Sequence, residues 1–113
     1  MQSDASAMIS EAKHAILEKA GKHVRLLVLY GSEARREATP ESDIDLLVVL
    51  DVRDASAEQL MEDAVYDVMW KHGFPRLVSL CFMTAGDFQR QSQRGYSFVR
   101  NVEEEGIVLW QAA

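Results

Sequence analysis

The amino-acid sequence predicts an α/β (α+β) domain: a mixed β-sheet of about four strands with helices packed on one face. Three observations carry this. Apolar runs of strand length occur at 24–30, 43–50, 77–83 and 107–110. Longer segments before and between them repeat apolar residues at helical spacing. The connection between the first two runs is short for a parallel crossover and long for a tight hairpin, so mixed strand directions are expected.

Each element has its own local reason. Residues 5–20 read as an amphipathic helix, with Met8, Ile9, Ala12, Ile16 and Ala20 recurring at helical spacing and Gly21 as terminator. "VRLLVLY", 24–30, reads as a buried strand, apolar on both faces except at Arg25. A Gly-Ser turn follows, then "EARRE" as a short helical segment, then the loop "ATPES" with Pro40 as a helix breaker. "DIDLLVVL", 43–50, is the second strand.

"SAEQLMEDAVYDVMWKH" is the clearest helix, with Ser56 as cap and Gln59 at capping-box spacing. Its stripe is Leu60, Met61, Ala64, Val65, Val68, Met69 and His72; Gly73 and Pro75 end it. "LVSLCFM", 77–83, is the third strand. Thr84 caps the next helical segment, and Asp87 sits in its first turn, where the helix dipole favours an acid. Residues 85–105 are helical in tendency, with Gly95 as a break, and "IVLW", 107–110, is a last short strand.

A chain of 113 residues suits one domain, 1–113, with a real core. A net charge of −6 argues against general nucleic-acid binding, which wants a basic face, but not against nucleotides, whose charge a metal offsets. The single cysteine, Cys81, lies in an apolar run and reads as a small core residue; a cytoplasmic setting fits. No stretch approaches membrane-spanning length, and the first residues lack the basic-then-apolar order of a signal peptide.

The informative stretch is "YGSEARREATPESDIDLLVVLD". Asp43 and Asp45 are two apart at a strand start, so they share a face. Two carboxylates held together near burial need a cation between them. Mg²⁺ suits, being bound by one or two carboxylates plus substrate phosphates. Gly31 permits close backbone approach, and the turn beginning at Ser32 offers free N–H groups to an anion. Either half alone is weak, since Asp-x-Asp pairs are common as solvated strand starts and Gly-Ser usually marks a turn. Between two apolar strands, the combination points to a triphosphate bridging the turn and a carboxylate-held Mg²⁺.

This stretch resembles the nucleotidyltransferase superfamily that includes DNA polymerase beta and the aminoglycoside nucleotidyltransferases. Their pattern is Gly-Ser, ten residues, then Asp-x-Asp, met here by Gly31-Ser32, residues 33–42 and Asp43-Ile44-Asp45. The wider stretch is most similar to the minimal nucleotidyltransferases, small prokaryotic proteins often paired with a HEPN-domain protein. Those commonly read Gly-Ser-Arg-Ala-Arg-Gly, a loop, then Ser-Asp-Ile-Asp-Leu. The chain keeps Ala34, Arg35, Ser42 and Leu46 but carries Glu33 and Arg36. "NVEEEGIVLW" resembles the family's last helix and strand, so the resemblance runs from Val24 to Trp110.

The resemblance implies a nucleotidyltransferase fold and Mg²⁺-dependent transfer of AMP from ATP to a hydroxyl. Carried over, Asp43 and Asp45 are catalytic metal ligands, and Gly31 and Ser32 hold the β- and γ-phosphates. Arg35 either touches phosphate or braces the loop through Glu37 or Glu41. The superfamily's third carboxylate comes from a later strand; the matching position falls at or near Ser79, and no Asp or Glu lies between Arg76 and Ala85. Asp51 is too far along its strand, and Asp87 reads as a capping or surface acid.

Three functions are compatible with these residues. The first is an adenylyltransferase acting on a protein acceptor such as a tyrosine of a HEPN-type partner, in an antitoxin role. The second is a degenerate, contact-only antitoxin or nucleotide-binding module, favoured by Ser79. The third and weakest is an aminoglycoside-type transferase whose cleft a dimer or partner completes. No direct nucleic-acid or membrane partner is expected, and homo- or hetero-oligomers are compatible. His14 and His23 read as surface residues, His72 as a helix-end residue, and Trp70 and Trp110 as core or partner surface.

Overall fold

The computed structural model describes residues 4–113. Helix α1 spans Asp4–Ala20 and buries Ala5, Met8, Ala12, Ile16 and Ala20, one residue per turn. A short 3₁₀ turn, Gly21–His23, delivers the chain into strand β1, Val24–Tyr30. Strand β2 is Ile44–Leu50, helix α2 Ala55–His72 and strand β3 Val78–Thr84. The helical tendency of 85–105 resolves into two helices, α3 (Ala85–Gln93) and α4 (Ser97–Glu105), with Gly95 between them. Strand β4, Ile107–Gln111, closes the sheet.

The sheet order is β3-β2-β1-β4. β1 runs antiparallel to both β2 and β4, and β2 parallel to β3, the mixed sheet expected. α2 makes the crossover that a parallel pair requires. A bulge between Val24 and Leu26 pushes Arg25 outward, where it pairs with Asp51 at 3.2 Å.

Alternation divides the central strands. Ile44, Leu46, Val48 and Leu50 pack with Leu27 and Leu29 beneath the layer formed by α1 and α2. Leu47, Val49 and Val28 face the other way, and Val102 of α4 and Phe88 of α3 close over part of them. That second face also carries the odd-numbered end of β2, which begins with Asp45.

Three local expectations change. "EARRE" is a single turn rather than a helix. The cap of α2 is Asp54, not Ser56: its carboxylate accepts from the Ala57 N–H at 3.0 Å, while Glu58 accepts from the Asp54 N–H at 3.1 Å. This acidic reciprocal cap wins because Arg53 holds Glu58 in place at 2.6 Å. Leu60, placed in the α2 stripe, is exposed, because the buried set is centred on Met61, Val65, Val68 and Met69.

Candidate active site

The site begins with a steric fact. Gly31 follows β1 with φ +78°, and a Cβ added there would lie 2.5 Å from Asp45 Oδ2. No side chain fits, and the left-handed backbone independently favours glycine. The turn that opens the loop therefore rests directly on the carboxylate of the next strand. Tyr30 is the cross-strand partner of Asp45, which fixes the register of that contact.

The turn is short and well determined. Arg35 N–H donates to the Gly31 carbonyl at 3.2 Å, a single helical turn. It stops at once: Glu37 N–H donates to the Ser32 carbonyl at 2.9 Å and Arg36 N–H to the Glu33 carbonyl at 3.2 Å, with Arg36 at φ +60°. This is a Schellman closure with arginine at the position that favours glycine. It explains why good helix formers do not make a helix here. Among the described residues, the N–H groups of Ser32, Glu33 and Ala34 donate no backbone hydrogen bond.

Two anchors hold the loop. Ala34 packs on the main core. Glu33 Oε1 lies 2.8 Å from Arg76 Nη2, and Arg76 Nε donates to the Ser42 carbonyl. Those two charged atoms are buried and have no other partner among the described residues. Arg76 thereby links the start of the loop to the residue immediately before Asp43. Thr39 and Ser42 close the far side, with Ser42 N–H donating to the Thr39 carbonyl at 3.0 Å around Pro40.

Asp43 is exposed just ahead of β2, and Asp45 is half-buried at its second residue. Neither carboxylate has a hydrogen bond or an ion pair among the described residues. Burial, then repulsion from Asp43, pushes the Asp45 carboxyl above its ordinary value. An uncompensated carboxylate pair beside free N–H groups fits a divalent cation, which needs only one or two carboxylates when phosphates complete its shell. Among the described residues no cluster of three His, Cys, Asp or Glu could hold a metal alone.

β3 lies beside β2 in parallel register, with Ser79 opposite Asp45. Ser79 is exposed, so the position beside the pair carries a neutral hydroxyl. Arg35 is a brace: its Nε lies 2.6 Å from Glu37 Oε1 and 3.6 Å from Glu105 Oε2. Glu37 was among the expected partners, while Glu105, at the end of α4, is out of reach of any local sequence signal.

Three further side chains border the site without a signal in the sequence. Tyr30 stacks edge-on against Phe98 at 5.4 Å. Its hydroxyl is pushed up to about 12, mainly by burial, with Cys81 and Asp45 adding to it. Cys81 is half-buried beside it, and burial pushes its thiol up. A cavity of about 220 Å³ lies between Tyr30, Gly31 and Arg35 on one side and Phe98, Asn101, Val102 and Glu105 of α4 on the other. A larger one, about 370 Å³, sits behind the loop between Glu33, Pro40 and Arg76.

Comparison with known proteins agrees with this architecture. The chain is 33% identical over 102 residues to MJ0604 of Methanocaldococcus jannaschii, provisionally named a protein adenylyltransferase, covering 90% of this chain and 94% of the relative. The spectinomycin adenyltransferase AAD(9) of Enterococcus faecialis, solved with ATP and spectinomycin, shares the fold with a TM-score of 0.73 at 12% identity. That match covers 95% of this chain and 56% of the enzyme, so the chain spans little more than half its length. A toxin–antitoxin structure with AMP-PNP aligns with a TM-score of 0.52 at 22% identity, over 89% of this chain and 72% of that one. The sequence profile of the nucleotidyltransferase domain family matches residues 9–109. With this profile spanning almost the whole chain, and the Gly-Ser turn resting on the Asp-x-Asp strand, the chain belongs to the nucleotidyltransferase domain family.

Proposed function

We propose that the chain binds ATP at the Gly31–Ser32 turn, with Mg²⁺ held by Asp43 and Asp45, and transfers AMP to a hydroxyl of a partner protein of HEPN type. The observation that carries this reading is the 2.5 Å approach of a Gly31 Cβ position to Asp45 Oδ2, which supports reading the turn and the Asp-x-Asp strand as one site. In this reading the N–H groups of Ser32, Glu33 and Ala34 and the Ser32 hydroxyl bind the β- and γ-phosphates. Bound there, Mg²⁺ neutralises phosphate charge as a Lewis acid. Asp43 and Asp45 would fix its position, and Arg76 ties the turn to the residue before Asp43. The acceptor oxygen bonds to the α-phosphorus as the bond to the bridging oxygen breaks. Pyrophosphate leaves with that electron pair, and the hydroxyl proton passes to solvent.

Adenine and a protein acceptor are supported by the M. jannaschii relative, which is named for protein adenylylation and aligns over nearly its full length. The toxin–antitoxin neighbours share the fold and fit an antitoxin role. Calorimetry of ATP binding with and without Mg²⁺, on the wild type and on Asp43→Asn/Asp45→Asn, tests the site. Mg²⁺-dependent binding that the double variant loses is expected; binding indifferent to both would overturn it. Transfer of α-labelled AMP to a purified HEPN partner tests the acceptor.

Ser79 favours a second reading, a contact-only antitoxin or nucleotide-binding module. The strand position opposite Asp45 carries no charge, so the metal site is weaker than one with three carboxylates. A wild type that neutralises its partner without labelling it, equally well as Asp43→Asn/Asp45→Asn, would select this reading.

A further inference from the structure

Glu105 stands where a carboxylate is least welcome. It is the last residue of α4, preceded by Glu103 and Glu104, with no basic residue in that turn. The negative end of the helix dipole disfavours acids there. Its placement is nevertheless fixed. The next residue, Gly106, is so enclosed that a Cβ would meet the Val102 carbonyl oxygen at 2.4 Å and Val28 Cγ1 at 2.6 Å. Ile107 then pairs with Leu29, two residues before Gly31. The backbone thus seats Glu105 beside the Gly-Ser turn, in the same cavity as Gly31 and Arg35, with its Oε2 3.6 Å from Arg35 Nε.

Arg35 is the nearest guanidinium to that turn along the chain, and its two acidic partners both engage Nε. The terminal nitrogens make no hydrogen bond among the described residues. A guanidinium fits phosphate oxygens in a fork, and any carboxylate paired with it competes for the same charge. Glu37 belongs to the same loop as Arg35. Glu105 belongs to another element and holds Arg35 from outside.

Resting on the nucleotide-site reading, we propose that Glu105 is a specificity-setting residue that competes with substrate phosphate for Arg35. The triphosphate draws Arg35 from Glu105 when it binds, and the exchange lowers the net affinity for ATP. Because adenosine offers no phosphate, its binding is indifferent to Glu105.

Calorimetry of MgATP and of adenosine, on the wild type, Glu105→Gln, Arg35→Gln, the double variant and Glu104→Gln, tests this. Glu105→Gln should bind MgATP about threefold to fivefold more tightly, the scale of one exposed ion pair. The gain should vanish in the Arg35→Gln background. Glu104→Gln, which removes the same charge one residue away, should leave the affinity unchanged. Unchanged or weaker MgATP binding by Glu105→Gln, while wild-type binding stays Mg²⁺-dependent, would overturn the competition and leave the nucleotide site standing. An equal gain in Glu104→Gln, or a gain that survives Arg35→Gln, would assign the effect to net charge and also overturn it. If the wild type binds no MgATP, the nucleotide reading and this proposal fall together.

Discussion

At the scale of single residues, Gly31 and Asp45 behave as one steric unit. Gly31→Ala adds a Cβ 2.5 Å from the carboxylate at a left-handed φ, and should cost on the order of 2 kcal/mol in urea denaturation. Only the part due to the clash should be recovered by Gly31→Ala/Asp45→Gly, while the cost of alanine at the left-handed φ remains, so the pair should be non-additive. Asp45 carries a second cost. Its carboxyl is raised by burial and by Asp43, so the native state holds its proton more tightly than the unfolded chain does. Its contribution is harmless at low pH and becomes destabilising as pH rises through the raised value. Asp45→Asn should therefore raise the unfolding free energy at neutral pH in metal-free buffer by no more than about 1 kcal/mol after solvent screening, while abolishing Mg²⁺-dependent ATP binding. Strand alternation made the two aspartates legible as neighbours; alternation together with the family resemblance pointed to Ser79, and the strand register sets it opposite Asp45. Arg35 was only half legible: Glu37 is two residues away, but Glu105 is brought in by β4.

At the scale of elements, local signals were reliable where local forces decide. The Thr84 cap is found as the sequence implies, accepting from the Asp87 N–H at 3.1 Å, and Gly95 does separate two helices. The loop after Gly31 departs from its local signal, because helix propensity in "EARRE" is overruled by the need to return to β2. The chain turns out at Arg36 with φ +60°. Arg36→Gly should stabilise by about 1 kcal/mol, read as a higher urea midpoint with an unchanged slope. Arg76 anchors the same loop. Arg76→Ala strands Glu33 and frees the Ser42 carbonyl; it should cost about 2–3 kcal/mol, since Glu33 keeps some solvent. Between the helices, Glu11 accepts from Lys71 at 2.8 Å and contacts His72 at 2.6 Å. Those bonds, Lys71 first, lower its carboxyl below the ordinary value. That contribution is present above the unfolded value of 4.5 and lost as pH falls through the lowered one. Glu11→Gln should flatten that part of the acid denaturation curve.

At the scale of the molecule, the proposed nucleotide site would link MgATP binding to folding. Free MgATP at a hundred times its Kd adds about 2.7 kcal/mol, and a domain of this size should gain on the order of 10 °C in Tm. Asp43→Asn/Asp45→Asn should show no gain. The overall class was legible because the order of elements left few topologies, while the closing pair was not, since nothing local says that β4 lies against β1. That pairing bears on how the protein is made. β2, α2 and β3 can assemble on one edge of β1 as they are synthesised. The other edge waits for Ile107–Gln111. Until those residues leave the ribosome, the nascent chain presents one unpaired edge of the apolar strand "VRLLVLY" to its neighbours. A stalled or prematurely terminated product should therefore aggregate rather than survive as a smaller active domain.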